Sequence, residues 1–214
     1  MSKGWGKLKA AVRGLVILIG VFALSGCVEI FQYITQNEHG ELELTASVRI
    51  QKSLFEAATS FTGEAPPDYE TEFGFTEEEI TEEYPDWLEL TFDTIDTDLE
   101  YGFEVSLRGT PQRLQQHRTA PFLPHTEENV TSILFEGEGE ATADDDIALA
   151  LFASSKYRLL ISKNYLPNIS AVWYETGGRR TPVEVHDYDD VYYIEFPIVY
   201  LFASDADGSL RIEH

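Results

Sequence analysis

Apolar and polar residues alternate without exception from residue 42 to residue 51. The apolar members are Leu42, Leu44, Ala46, Val48 and Ile50. Because successive side chains of a β-strand point to opposite faces, this pattern predicts a strand with one buried and one solvated face. An apolar segment at 28–34 and turn residues at 37–40 precede it. Together these segments predict an antiparallel hairpin at the start of the fold.

The rest of the chain carries mostly strand signals. They lie at residues 88–92, 101–107, 130–135, 157–161, 169–174, 183–185, 191–201 and 210–212. Helix signals are short and follow Ser53, Thr76, Thr110 and Asp144, which suit the first turn of a helix. The regular strand–helix alternation of a doubly wound fold is absent from this pattern. The sequence therefore predicts an α+β, mainly β, single domain with a twisted antiparallel sheet and two to four short helices.

Residues 63–86 have the weakest folding signals after the leader. They combine Pro66 and Pro67 with a dense run of acidic residues. Proline interrupts helices and strand ladders, and acidic side chains stay in solvent. We expect an acidic surface excursion within one domain, not a boundary between two.

The first 26 residues have a composition of their own. An apolar run at 15–24 is followed by the small residues Ser25 and Gly26. The basic residues that precede the run are Lys3, Lys7, Lys9 and Arg13. This order is typical of a secretory signal peptide, and the run is shorter than the roughly 20 apolar residues that span a bilayer. We expect residues 1–26 to be cleaved and residues 27–214 to form one extracytoplasmic domain.

The segment Leu24-Ser25-Gly26-Cys27 resembles the lipobox of bacterial lipoproteins. In that family a diacylglycerol is added to the cysteine sulfur, the leader is removed, and the new amino terminus is usually acylated. The resemblance implies a diacylglycerol and an N-acyl chain such as palmitate on Cys27, and no other cofactor. Two or more acyl chains anchor a protein stably, so the implied partner is a lipid bilayer. Cys27 is the only cysteine, so no intramolecular disulfide is possible.

The junction between Cys27 and the predicted hairpin contains no Ser/Gly-rich tether. A lipidated cysteine that runs straight into a β-hairpin resembles the LppM-type envelope lipoproteins. That resemblance covers the cysteine and the hairpin with its turn glycine, and it implies a membrane-proximal β-rich module, with no functional residues carried over. We expect the bacterial cell envelope as the location. Val28, and not aspartate, follows Cys27, which favours the outer membrane over the outer face of the inner membrane.

The charge of the chain is strongly acidic. Removing residues 1–26, which hold four of the fifteen basic residues and no acids, changes the formal net charge from −23 to −27. Such a surface repels nucleic acid, so no nucleic-acid partner is expected. Two interpretations of the acidity remain open: a solubilising coat suited to a saline habitat, and a surface for divalent cations or basic partners.

Catalytic motifs are absent from the sequence. It contains no Gly-x-Ser-x-Gly, His-Glu-x-x-His or glycine-rich phosphate loop. The histidines are scattered, and we expect no catalytic residues and no enzyme. The alternative is a carboxylate-based hydrolase of envelope polymers, which would need two converging acids, one of them with a raised pKa.

The sequence also contains no complete metal-binding motif. The segment 205–208 has the middle of a calcium loop, but Ala203 and His214 stand where both end ligands belong. Asp187, Asp189 and Asp190 are candidates for weak calcium binding in a predicted hairpin turn. We expect no dedicated metal site.

Aromatic residues concentrate in the last strand signals. Trp173, Tyr174, Tyr193 and Tyr200 are the members that we assign to a possible binding face. If they point inward they are core; if they point outward they form a patch for an envelope protein, a glycan or a lipid. The sequence thus favours a membrane-anchored envelope lipoprotein that acts as a non-catalytic binding or assembly module.

Overall fold

The computed structural model describes residues 28–53, 56, 68–69, 76–77, 84, 88–114, 122–135, 155–198 and 208–214. The predicted leader, the lipobox with Cys27, most of the segment 63–86 and the helix expected after Asp144 lie outside these residues. Tyr200 of the predicted aromatic face lies outside them as well.

Strands make up most of the described chain. They are β1 (Val28–Gln36), β2 (Leu42–Gln51), β3 (Glu89–Asp96), β4 (Glu100–Gly109), β5 (Pro124–Glu127), β6 (Val130–Phe135), β7 (Lys156–Ser162), β8 (Ala171–Thr176), β9 (Arg179–Pro182), β10 (Val185–Asp187), β11 (Val191–Pro197) and β12 (Gly208–Glu213). A single helical turn, α1 (Pro111–Leu114), follows β4. The predicted hairpin is confirmed, since β1 and β2 pair antiparallel along their whole length.

The strands form two sheets. The seven-stranded sheet has the order β10-β11-β7-β1-β2-β4-β3, and the five-stranded sheet has the order β5-β6-β12-β8-β9. Neighbours are antiparallel except β1 and β7, which run parallel. The mainly β character and the antiparallel pairing are confirmed. The strands divide between two sheets where the sequence predicted one, because alternation marks the buried face of a strand and not its partners. Two to four helices are not confirmed by the described residues, in which α1 alone is a complete helix.

The two sheets pack face to face around one hydrophobic core. Phe135 of the five-stranded sheet meets Tyr157 of the seven-stranded sheet edge-on, with ring centroids 5.2 Å apart. Tyr174 and Phe196 make a second contact across the interface, at 5.6 Å. Each sheet therefore has an inner face in the core and an outer face directed away from it.

A polar side chain of β1 is enclosed in this core. Gln32 is 0% exposed, and its Nε2 donates a hydrogen bond of 2.6 Å to the carbonyl oxygen of Phe122. The hydroxyl of Tyr157 donates to Gln32 Oε1. Burial raises the pKa of Tyr157, so this donor keeps its proton. Because both ends of the amide have partners, the buried Gln32 is compatible with a stable core.

The two ends of the molecule differ in what they present. The Val28 end is where β1, β4 and β7 begin, since Val28 pairs with Ile50 and Ile50 with Tyr101. We call the end of the molecule opposite to the Val28 end the far end. There Tyr165, just beyond β7, has its hydroxyl 3.2 Å from Thr126 Oγ1. The turn between β5 and β6 therefore belongs to the far end.

Candidate functional site

The start of the described chain is fixed in the fold. Val28 is 8% exposed, and its backbone nitrogen donates a hydrogen bond of 3.0 Å to Ser155 Oγ. β1 is a central strand with β2 on one side and β7 on the other. Since Cys27 is bonded directly to Val28, a lipid on Cys27 would join the domain without a flexible tether.

The aromatic residues predicted as one binding face lie in three different settings. Tyr174 is 2% exposed and belongs to the core, where burial raises its pKa to about 12. Trp173 is on the outer face of the five-stranded sheet, and Tyr193 is on the outer face of the seven-stranded sheet. The prediction of a single face that includes Tyr174 was therefore wrong. Adjacent residues of a strand point to opposite faces, so Trp173 and Tyr174 cannot share one.

A groove with a volume of about 720 Å³ crosses the outer face of the five-stranded sheet. We term it the Trp173 groove. It is lined by Glu127, Glu128, Val130, Trp173, Glu175, Arg180 and Arg211. Its volume falls within the range of about 300–1,000 Å³ that is usual for ligand sites. These residues come from five strands and the β5–β6 turn, so the sheet pairing assembles the groove.

Strand register brings the charged residues of the groove to Trp173. Arg211 of β12 pairs with Trp173 of β8, and Glu175 of β8 pairs with Arg180 of β9. The guanidinium of Arg180 lies over the Trp173 ring, 5.1 Å from its centroid. Glu175 Oε2 lies 3.7 Å from Arg180 Nε and 3.6 Å from Arg211 Nε. The Glu175 carboxylate therefore interacts with the guanidinium groups of both Arg180 and Arg211, next to the Trp173 ring.

The rim of the groove at the far end contains backbone strain. Glu128 has a φ of 54° in the two-residue turn between β5 and β6, a conformation that favours glycine and disfavours other residues. Strained residues of this kind cluster at binding and active sites. The turn holds Glu127 and Glu128 at the edge of the groove, and Glu127 Oε1 lies 3.2 Å from His125 Nε2.

Four buried side-chain atoms of the described residues have no hydrogen-bond partner: Ser47 Oγ, Arg49 Nε, His125 Nδ1 and Arg211 Nε. Buried polar atoms in folded proteins are nearly always hydrogen-bonded. Ser47 and Arg49 lie in β2, away from the groove, and Arg211 Nε lies 3.6 Å from Glu175 Oε2, so these atoms do not by themselves mark the groove as a binding site.

The groove combines donors, acceptors and an aromatic ring in one shallow surface. Such a set suits a ligand that carries hydroxyl, amide or charged groups, and it is poorly suited to a purely apolar ligand. The sequence alone did not indicate the charged residues of the groove, which are Glu127, Glu128, Glu175, Arg180 and Arg211. The spacing of Trp173 and Glu175 places both on one face, but Arg211 joins them only through the pairing of β8 with β12, which the sequence did not indicate.

The outer face of the seven-stranded sheet holds an ion-pair network. Arg158 lies between Glu29 on β1, at 2.6 Å, and Glu195 on β11, at 3.2 Å. Lys156 also binds Glu195, and the Tyr193 hydroxyl donates to Glu195 Oε2 at 2.5 Å. Burial and the neighbouring Glu195 carboxylate raise the pKa of Tyr193 to about 12. The network ties three strands together, so we interpret this face as structural.

Of the three residues proposed for calcium, Asp187 and Asp190 contact Lys163, one through its side chain and the other through its backbone. Asp187 binds Lys163 Nζ at 2.6 Å, and the backbone oxygen of Asp190 accepts from the nitrogen of Lys163 at 2.9 Å. Asp189 is exposed. Across the described ranges, no three His, Cys, Asp or Glu side chains are arranged to hold a metal ion.

Comparison with protein-family models and with curated protein sequences found no match. In the part of the chain that the structure describes, no helix is long and apolar enough to cross a bilayer.

Proposed function

We propose that the chain is a bacterial envelope lipoprotein, cleaved before Cys27 and anchored by a diacylglycerol and an N-acyl chain on that residue. It acts as a non-catalytic binding or assembly module at the membrane surface. The observation that carries the proposal is the position of Val28, which follows the lipobox directly and is already the first residue of a central strand. A domain joined to its lipid in this way stays close to the bilayer.

The Trp173 groove is the binding surface in this proposal. Its rim at Glu127 and Glu128 belongs to the far end of the molecule, so anchoring through the Val28 end leaves the groove open to a partner. Its donors, acceptors and indole ring favour an envelope protein or a glycan over a lipid chain. The net charge of −27 after residue 26 opposes nucleic-acid binding. The outer membrane is the location that the residue after Cys27 favours.

In-cell crosslinking, affinity capture and mass spectrometry test this proposal. The wild type is compared with Cys27→Ser, Trp173→Ala and Tyr188→Ala. Tyr188 is the matched control, because it is an aromatic residue 56% exposed that does not line the groove. We expect one envelope partner that is captured by the wild type and Tyr188→Ala, and lost in Cys27→Ser and Trp173→Ala.

The pattern of losses separates the two parts of the proposal. Capture that survives Trp173→Ala but not Cys27→Ser would place the binding surface elsewhere on the anchored domain. Capture that is equal in all four proteins would argue against both the anchor and the groove.

A carboxylate-based hydrolase of envelope polymers is the alternative. Its support is that Glu127, Glu128 and Glu175 share the Trp173 groove. It requires that one of these carboxyls has a raised pKa, so that it can donate a proton to the substrate. Release of soluble fragments from isolated cell envelopes by the wild type, abolished in Glu127→Gln, would favour the hydrolase.

A further inference from the structure

The tip of the β3–β4 hairpin presents a leucine to solvent. Leu99 is 69% exposed, and the other large hydrophobic side chain exposed in the described residues is Tyr188. Single exposed apolar residues are common on protein surfaces. Leu99 differs from an ordinary exposed residue in its position, which is close to the start of β1.

Leu99 lies at the same end of the seven-stranded sheet as Val28, the residue that follows Cys27 in the sequence. Val28 pairs with Ile50, and Ile50 pairs with Tyr101, so Tyr101 is level with Val28 two strands away. β1 and β4 run in the same direction, and Leu99 precedes Tyr101 as Cys27 precedes Val28. From the usual strand spacing, Leu99 is displaced from the start of β1 by about 10 Å across the sheet and by up to about 7 Å along it. Tyr188 is at the far end, in the turn that precedes β11.

The hairpin tip is held rigidly. The nitrogen of Leu99 donates to Thr97 Oγ1 at 3.3 Å, and the nitrogen of Glu100 donates to the same atom at 3.0 Å. The carbonyl oxygen of Leu99 accepts from the nitrogen of Lys52 at 2.9 Å. These hydrogen bonds fix the backbone at Leu99, and its side chain is largely exposed to solvent.

Two lysines lie at this end of the sheet, and each is paired with an acidic residue. Lys52, Lys156 and Lys163 are the lysines that follow residue 26, and the first two lie at the Val28 end. Lys52 binds Asp96, and Lys156 binds Glu195. Asp98 and Glu100 still flank Leu99, so a surface of zwitterionic lipid suits this end better than an anionic one.

We propose that Leu99 is a second membrane contact, which enters the interfacial region of the bilayer and, with the lipid on Cys27, fixes the orientation of the domain. This inference rests on the proposed lipid anchor. Two contacts separated across the sheet prevent the domain from rotating freely about one acyl-bearing residue. The Trp173 groove is then held in a constant orientation relative to the membrane.

The test uses the full lipidated chain in vesicles of phosphatidylcholine and phosphatidylethanolamine. Leu99→Cys introduces the only free thiol, because the sulfur of Cys27 carries the diacylglycerol, and this thiol is labelled with an environment-sensitive fluorophore. His39→Cys is the matched control, since His39 is exposed in the β1–β2 turn at the far end. We expect a blue-shifted emission and quenching by a spin-labelled lipid at position 99, and neither at position 39.

The outcomes separate the inference from the proposed function. A protein that floats with the vesicles while the label at position 99 reports water overturns the inference and leaves the anchor intact. Failure of the unlabelled wild type to float with vesicles overturns both. Equal quenching at positions 99 and 39 also overturns the inference, because it shows no preferred orientation.

Discussion

The backbone nitrogen of Val28 donates a hydrogen bond of 3.0 Å to Ser155 Oγ, across 127 positions of sequence. The carbonyl oxygen of Ser155 accepts from the nitrogen of Ile198 at 2.9 Å. Ser155 thus joins the start of β1 to the end of β11. Val28, the residue next to Cys27, is therefore held by the residue that precedes β7, which in turn binds the residue that follows β11.

Ser155→Ala should loosen this junction. It removes the acceptor of a backbone N–H that is largely buried, and an unsatisfied buried donor costs about 1–3 kcal/mol. We expect a loss of unfolding free energy in that range, measured by chemical denaturation. Ser170→Ala is the control, because the hydroxyl of Ser170 donates at the surface to the oxygen of Glu213. An equal loss in both variants would contradict the role given to Ser155.

Tyr157→Phe should leave Gln32 Oε1 buried without a donor. We expect the unfolding free energy to fall by about 1–3 kcal/mol. Combining Gln32→Leu with Tyr157→Phe should recover part of the loss, because neither polar group of the pair then remains in the core. A double-mutant cycle by denaturation measures the coupling, and strictly additive losses would show that the pair does not interact.

Glu195 should make stability depend on pH in the acidic range. Burial raises the pKa of its carboxyl, but hydrogen bonds from Lys156, Tyr193 and Arg158 outweigh burial and hold the pKa below its usual value. The folded state therefore binds this proton more weakly than the unfolded state. The resulting stability is complete above the usual carboxyl pKa and is lost as the pH falls through the lowered one. Glu195→Gln should flatten that part of a stability–pH curve, and an unchanged curve would argue against it.

Gly102→Ala should be more harmful than Gly177→Ala. A Cβ at Gly102 would lie 1.9 Å from the backbone oxygen of Val48, which the β2–β4 pairing holds in place. Forced backbone shifts cost about 1–3 kcal/mol and occasionally more. Gly177 has a φ of 54° and open space around it, so alanine there costs about 1 kcal/mol of conformational strain. Thermal unfolding of both variants measures the difference, and the reverse order would show that the strands separate readily at Gly102.

Local pattern was enough to predict most strands. The alternation at 42–51 gave β2, and the turn residues before it gave the hairpin with β1. β5 and β9 were not predicted. For β9 (Arg179–Pro182) the reason is physical: the strand is almost wholly exposed, so no apolar residues mark a buried face. Pro197 cannot donate a hydrogen bond to a strand ladder, and it ends β11 beyond the residues that β10 pairs with.

Long-range pairing was the part that the sequence did not reveal. The parallel contact between β1 and β7 joins residues more than 120 positions apart, and no local pattern encodes such a pair. The Trp173 groove has the same origin, since Arg180 and Arg211 reach Trp173 only through the register of three strands. The prediction of a single aromatic face was wrong for a simpler reason: neighbouring residues of a strand point to opposite faces, which separates Trp173 from Tyr174.

The mass of the mature amino-terminal peptide tests the lipid anchor most directly. The protein is produced in a bacterium that processes lipoproteins, digested, and analysed by mass spectrometry beside Cys27→Ser. We predict a peptide that begins at Cys27 and carries a diacylglycerol on sulfur and an acyl chain on nitrogen. A chain that begins elsewhere, or a Cys27 without acyl groups, would contradict the account.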